Sequence, residues 1–327
     1  MRKRRWQIPR QLRPSVWRQE RIAKALLKGL GPGVYTQPQL FVGLRRTEQT
    51  HLFRTERRAD GKRLVLKIDH KKTAKEMTAD VRFMARISAQ LADVPGMAAP
   101  EPLAEFADPP AVLMTEAPGK TLARQIQNQF PDARAPNMER AGMWILAFQT
   151  VVDRRFIRFD PARSMARIAR LLEEPVLAEK AAFAVEFERL NALADAAEGI
   201  EAPKGLRHGD FHPGNLMMTE TLVTGIDFGK RARGFAHRDL ARLMIHSGLS
   251  APALDWDRNV VRGAYGRDRE AILAGYGPIP EAVMDFAVVE AGLRWWWTLS
   301  RQQPWSAGHR ERFRRLQKLI ASVPIER

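Results

Sequence analysis

Cysteine is absent from the 327 residues. That removes disulfide frameworks, thiol nucleophiles and cysteine-ligated zinc or iron–sulfur centres together. No uninterrupted apolar run approaches the roughly 18 residues that span a bilayer. The N-terminus, MRKRRWQIPRQLRP, has the charge of a signal peptide but no apolar stretch behind it, so a cytoplasmic location is expected. Internal repeats and low-complexity segments are also missing, which excludes a tandem array.

Acidic residues are scarce at both ends. Residues 1–30 hold ten Lys or Arg and one acid, Glu20, and residues 301–327 hold seven against two, Glu311 and Glu326. The termini therefore carry +9 and +5 of a formal net charge of +17, and the long middle is close to neutral. Such ends suit an anionic surface such as nucleic acid, acidic lipid or a phosphorylated glycan; they also suit a solvated arm that only keeps the chain soluble. Aromatic interleaving is sparse and no nucleic-acid motif is present, so nucleic acid is not the expected partner.

A hydrophobic fraction of 45% with 28% charged residues is the balance of a globular chain. The length exceeds one ordinary core, which predicts two lobes. After the basic arm, residues 15–30 read as an amphipathic helix with Val16, Ile22, Leu26, Leu27 and Leu30 as its apolar stripe, docked on the body rather than lying in a membrane interface. QLFVGL, THLFRTE and KRLVLKID follow as strands, the last two joined by the turn Ala59-Asp60-Gly61-Lys62. TAKEMTADVRFMARISAQL has helical spacing through Met77, Val81, Met84 and Ile87. A strand over 111–116 runs into Ala117-Pro118-Gly119, a hinge, and helices dominate beyond it (137–152, 161–172, 176–198 and most of 237–320), with a β-rich island at 206–229. This order predicts an α+β chain in three parts: a basic arm and helix over 1–30, a small antiparallel-sheet lobe over 31–116, and a larger helical lobe over 117–327.

Residues 207–230, RHGDFHPGNLMMTETLVTGIDFGK, are the densest in chemistry. Asp210 and Asn215 lie five apart on a loop rich in Gly and Pro. LMMT and LVTGID read as a hairpin that returns Asp227 beside that loop. Two carboxylates and one amide then converge, and hard oxygen donors of that kind suit Mg2+. Upstream, Lys67 sits in an otherwise apolar strand and is expected to point inward opposite the loop; a lysine beside Mg2+ suits triphosphate oxygens during phosphoryl transfer.

On these residues the chain resembles the aminoglycoside phosphotransferase and choline kinase group, the small-molecule branch of the protein-kinase-like fold. HGDFHPGN matches that group's H-G-D-x-x-x-x-N loop at every fixed position; IDFG, LVLK, LMTEAPGKTL and HRDLARLM match its metal strand, strand lysine, hinge and following helix. The resemblance spans about residues 40–245. It implies a two-lobed fold that uses ATP and Mg2+ to phosphorylate a hydroxyl of a small molecule. It implies Asp210 as the residue that orients and deprotonates the acceptor hydroxyl, Asn215 and Asp227 as metal ligands, and Lys67 on the α- and β-phosphates. The lysine needs an acidic partner: Asp80 stands where the group usually has Glu, while Glu76 lies one turn earlier on the same face. Thr115, Glu116 and Ala117 would present backbone groups to the adenine edge. His208 reads as a packing residue that sets the loop, and His212 and Asp239 as loop support and helix capping.

The chain departs from the group in two places. The loop GLRRTEQTHLF is poor in glycine, so phosphate contact there would fall to backbone N–H groups and Thr47 or Thr50. Residues 250–300 hold seven acids against five Arg and the final segment is basic, which disfavours a polycationic antibiotic as substrate. Trp295, Trp296 and Trp297 with Trp305 could stack on a ligand, but three consecutive helical residues diverge, so core packing is the expected use of most. Three functions fit: a small-metabolite kinase acting on a sugar or amino alcohol; a kinase of a lipid-linked or lipopolysaccharide-core sugar, held peripherally at the inner membrane face by the basic termini; and a kinase-like binder without catalysis.

Overall fold

The computed structural model describes residues 13–40, 49–151, 154–228, 232–252 and 256–325. The predicted arm over 1–12 with Trp6, and Thr47 in the loop after the first strand, lie outside the described residues. The chain divides into two units, Met1–Ala89 with Ala99–Ala117, and Gln90–Ala98 with Pro118–Arg327.

The first unit is built on alternation. Helix α1 (Arg13–Leu30) precedes strands β1 (Gln39–Leu40), β2 (Thr50–Glu56) and β3 (Arg63–Asp69), helix α2 (Ala74–Ala92) follows, and after β4 (Met97–Ala98), which belongs to the second unit, come β5 (Pro102–Ala107) and β6 (Pro110–Thr115). The strands form an antiparallel sheet in the order β1-β2-β3-β6-β5. Every second residue of β3 is buried: Leu64, Leu66 and Ile68 join Phe53, Ala111 and Leu113 in one core, which Ala23 and Leu27 of α1 close. Each buried Leu, Ile or Phe side chain there contributes about 1.5–3 kcal/mol. The alternation puts Lys67 on the other face with Val65, opposite Leu52 of β2 and Val112 of β6. Of the predicted α1 stripe, Ile22, Leu26 and Leu27 pack on this core. The small Ala23 lets the helix approach the sheet one turn from Leu27, whereas Leu30, the last helical residue, is 39% exposed, and Trp17 is 67% exposed.

In the second unit, β7 (Lys120–Thr121) leads into α3 (Leu122–Asn128) and α4 (Pro131–Thr150), then β8 (Arg155–Arg158), α5 (Ala162–Leu172) and α6 (Lys180–Ala197). Next come β9 (Glu201–Arg207), β10 (Leu216–Met218), β11 (Val223–Gly225), β12 (Ala232–Phe235) and α7 (His237–Ser250). The chain continues through the short hairpin β13 (Val260–Val261) and β14 (Ala264–Tyr265) into α8 (Gly266–Tyr276), α9 (Glu281–Ser300) and α10 (Ala307–Ala321). Two small sheets, β4-β11-β10-β7 and β12-β9-β8, frame residues 207–228. Helix α4 starts at Pro131, six residues before the predicted start, because proline is tolerated at a first helical position. Its Arg134 makes a bidentate pair with Asp268 of α8, both wholly buried, with N···O distances of 2.9 Å.

The basic C-terminal segment is a docked helix: Phe313, Leu316, Leu319 and Ile320 of α10 are buried. The tryptophan run divides. Trp296 is core, packed on Phe183 and Phe313 with its indole N–H donated to the Ala178 carbonyl at 2.9 Å. Trp297 lies under Arg301, and Trp305 packs on Phe313. Among the described residues no helix is long and apolar enough to cross a membrane.

Candidate active site

Strand β9 ends at Arg207 and delivers His208, Gly209 and Asp210 into a loop that closes with a 3-10 turn over Pro213–Asn215. Gly209 takes φ +81, the left-handed region that glycine occupies without strain. Asp239, in the first turn of α7 and wholly buried, accepts the His208 N–H at 2.9 Å and the Gly209 N–H at 3.2 Å, and lies 3.3 Å from Nη2 of Arg207. Asp239 therefore clamps the loop. It does not cap its helix, as the sequence suggested: Ala236 holds the cap position and Asp239 spends both oxygens on the loop.

His208 is fully buried within about 6 Å of the rings of Trp144, Phe148, Phe211 and Phe228. Its Nδ1 accepts the Asp210 N–H at 3.3 Å, and burial lowers its pKa, so it stays neutral. Gly225 makes this box possible, since a Cβ there would lie 2.1 Å from the Trp144 ring.

Asp210 is surrounded by polar partners. Asn215 donates its Nδ2 to the Asp210 carbonyl at 2.9 Å and to its carboxylate at 3.3 Å. Arg242 of α7 forms an ion pair with the same carboxylate and donates Nη1 to the Gly209 carbonyl at 3.3 Å. His212 accepts the Gly214 N–H on Nδ1 at 3.1 Å, which puts its own proton on Nε2, 3.7 Å from the Asp210 carboxylate. Partial burial pushes the Asp210 pKa up, but the His212 contact and the Arg242 charge pull it further down, to about 2. His212 stacks on His246 at 5.1 Å, which in turn leans on Trp295 at 4.5 Å. Burial, with His212 and Arg242 nearby, lowers His246 to about 3, so it carries no charge near neutral pH.

The hairpin reading of 216–227 matches the registers Leu216↔Gly225 and Met218↔Val223. The Ile226 N–H donates to the Asn215 carbonyl at 2.9 Å, which returns Asp227 to the loop. Asp227 is exposed and adopts φ +57, a conformation rare outside glycine and associated with functional strain. Because the Asn215 amide nitrogen is committed to Asp210, its Oδ1 is the atom left to face a cation. An amide oxygen and an exposed carboxylate fit Mg2+, which takes few protein oxygens and keeps water and phosphate in its shell. Among the described residues there is no group of three His, Cys, Asp or Glu that would suit a more protein-ligated metal.

Lys67, Asp80 and Thr115 to Ala117 belong to the first unit. Glu76 is taken up in a capping box at the start of α2, accepting the Thr73 N–H at 2.8 Å and hydroxyl at 2.9 Å while its own N–H goes to the Thr73 hydroxyl at 3.2 Å. Those bonds to Thr73 lower the Glu76 pKa. Asp80, one turn on, pairs with Lys72. At the hinge, the Thr115 N–H goes to the Glu101 carbonyl at 2.9 Å and the Glu116 N–H to the Arg63 carbonyl at 3.0 Å, and the Glu116 carboxylate receives a bidentate Arg54. Of the three hinge N–H groups, those of Thr115 and Glu116 are thus engaged.

The structure gathers Asp210, Asn215 and Asp227 on one loop and hairpin of the second unit. Sequence reading missed Arg242 and His246 beside them. Their signal was present in HRDLARLMIH, because Arg242 and His246 lie three and seven residues beyond Asp239, on one helical face. Nothing in the motif said which face met the loop.

A model of the phosphotransferase enzyme family matches residues 45–286. The chain belongs to that family. Three solved structures share the fold of this phosphotransferase. The amicoumacin kinase hAmiN, in complex with AMP-PNP, Ca2+ and Ami, has a TM-score of 0.62 at 14% identity, with 97% of each chain covered. A choline/ethanolamine kinase family protein from Mesorhizobium loti has a TM-score of 0.59 at 16% identity, covering 93% of this chain and 98% of the other. The spectinomycin phosphotransferase APH(9)-Ia, in complex with ADP and spectinomycin, has a TM-score of 0.56 at 13% identity, covering 91% and 98%. No curated protein matches in sequence. The fold is α+β and protein-kinase-like, as the loop, strand and hinge motifs implied.

Proposed function

We propose that this phosphotransferase moves the γ-phosphoryl group of ATP, with Mg2+, to a hydroxyl of a small molecule. The observation that carries the reading is Asp210, a carboxylate held ionised by Arg242 and His212 on a loop clamped by Asp239. Mg-ATP supplies an electrophilic phosphorus whose oxygens are partly neutralised by the cation. Asp210 accepts the hydrogen bond of the acceptor hydroxyl and so orients its lone pair. As the new O–P bond forms and the bond to ADP breaks, the hydroxyl proton passes to the carboxylate. With a pKa of about 2, Asp210 is a weak base, which suits a loose transition state in which deprotonation lags behind bond cleavage. Asn215 Oδ1 and the Asp227 carboxylate would hold the metal, Lys67 the α- and β-phosphates, and Asp80 would orient Lys67. Ala117 would supply the hinge N–H for adenine, since those of Thr115 and Glu116 are engaged.

A lipid-linked sugar is the second acceptor reading, supported by Arg310, Arg312, Arg314 and Lys318 on the exposed side of α10. Each basic residue near an anionic leaflet contributes about 1 kcal/mol. A phosphorylation screen over a metabolite library with Mg-ATP tests the main reading, and sedimentation with phosphatidylserine vesicles tests the second. Absence of Mg-ATP binding would overturn both.

A further inference from the structure

A cavity of about 260 Å3 lies within the second unit, lined by Arg207, Arg238, Arg242, Arg294, Glu290 and Trp295 among others. Four guanidinium groups thus face one carboxylate. Glu290, almost wholly buried, is shared between Arg238 at 3.4 Å and Arg294 at 3.5 Å. Asp239 partners Arg207, and Asp210 partners Arg242, but neither acid lines the cavity. Burial lowers the pKa of Arg238, with smaller contributions from Arg207, Arg167 and Arg294, while Glu290 opposes the shift.

Unmade hydrogen bonds agree with the charge. The Nε atoms of Arg207, Arg238 and Arg242 and the indole nitrogen of Trp295 are buried and lack hydrogen-bond acceptors, four donors against one unmet acceptor, Glu290 Oε1. An unmet buried donor costs about 1–3 kcal/mol, so a group rich in acceptor oxygens would be favoured there. Arg242 joins this cavity to the reacting centre, because it lines the cavity and also pairs with Asp210. A ligand seated among the guanidiniums is therefore one side chain away from the carboxylate that would receive the acceptor hydroxyl.

We propose that the acceptor is an anionic hydroxy compound, whose carboxylate or phosphate group sits among Arg207, Arg238, Arg242 and Arg294 while a hydroxyl of the same molecule faces Asp210. The proposal rests on the phosphotransferase reading above and assigns it a substrate sign opposite to that of a polycation or an amino alcohol. The Trp295 ring supplies an apolar wall for the carbon skeleton.

Calorimetric titration of the full chain at low salt, where charge contrast is least screened, reads the preference. The probes are glycerate, glycerol 3-phosphate, glycerol and ethanolamine. Both anions should bind at least about tenfold more tightly than glycerol, with ethanolamine weakest. The ratio of glycerate to glycerol 3-phosphate tells a carboxylate site from a phosphate site. Arg294→Glu reverses the most exposed of the four charges and should weaken anion binding about tenfold or more, with Arg294→Gln in between; thermal melting verifies that each variant is folded. Equal binding of glycerol or ethanolamine by the wild type, or anion affinity unmoved in a folded Arg294→Glu variant, overturns the proposal. Wild-type titration with Mg-ATP separates the two claims: nucleotide binding without anion preference sinks only this inference, and loss of nucleotide binding sinks the reading beneath it.

Discussion

Arg242 neutralises Asp210. The pair joins the loop after β9 to helix α7, and a second bond from Arg242 to the Gly209 carbonyl fixes the loop backbone as well as its charge. A general base is usually tuned upward in pKa; this carboxylate is tuned downward. In the proposed reaction such a carboxylate would orient a hydroxyl more than remove its proton, and it would leave an anionic acceptor free of a bare negative charge beside the reacting oxygen.

The separate roles of Asp210 and Asp227 should appear as separate losses. Asp227→Ala is expected to abolish turnover through loss of metal-bound nucleotide, whereas Asp210→Asn should keep Mg-ATP affinity and lose most turnover. Calorimetry with Mg-ATP decides: an equal loss of affinity in both variants would contradict the assignment.

Asp239 acts through the loop. Replacing one of its oxygens by an amide nitrogen in Asp239→Asn sets a donor against the N–H of His208 or Gly209. The expected result is a fall in kcat of about tenfold or more, ~1.4 kcal/mol in the barrier, with Mg-ATP affinity kept. A change in affinity with kcat intact would mean that Asp239 serves the nucleotide instead.

The acidic partner of Lys67 can be told from its neighbour. Glu76→Ala removes a capping box and should lower stability slightly while leaving turnover near wild type. Asp80→Ala should lower turnover about tenfold, and Asp80→Glu should be tolerated. Denaturant titration and steady-state kinetics on the three variants test this together; a silent Asp80→Ala beside a damaging Glu76→Ala would place the partner one turn earlier.

Ligand binding should follow the titration of the ligand. His246 is neutral because its pKa is lowered to about 3, so it does not change charge between about pH 5 and 8. Glycerol 3-phosphate affinity should weaken only as pH falls through the phosphate's own second pKa, about 6, and glycerate affinity should stay flat. Asp210 also contributes to stability with a definite sign. Its folded pKa of about 2 lies below the ordinary 3.8, so its contribution is present above 3.8 and lost as pH falls towards 2. A step in glycerate affinity near pH 6.5 would show a histidine at work.

Local chemistry made much of this legible in the sequence. Alternation in RLVLKID separates Lys67 from Leu64, Leu66 and Ile68, because a strand turns successive side chains to opposite faces. Glycine, proline and short strands around HGDFHPGN define a loop and hairpin whose ends must meet, so Asp210, Asn215 and Asp227 could be named together, and the family match agrees with the motifs they belong to. The short strands β4, β7 and β8 were not legible, since two to four residues carry too little periodicity, and β5, PLAEFA, reads ambiguously beside its prolines. Tertiary structure alone decided what surrounds Asp210. Arg207, Arg242, Glu290 and Arg294 are scattered over more than eighty residues, and their meeting depends on how α7 and α9 pack, which no local pattern encodes. It also decided that Trp296 is core while Trp295 lines a cavity, because neighbours on one helix diverge by about 100° and only packing says which direction is inside.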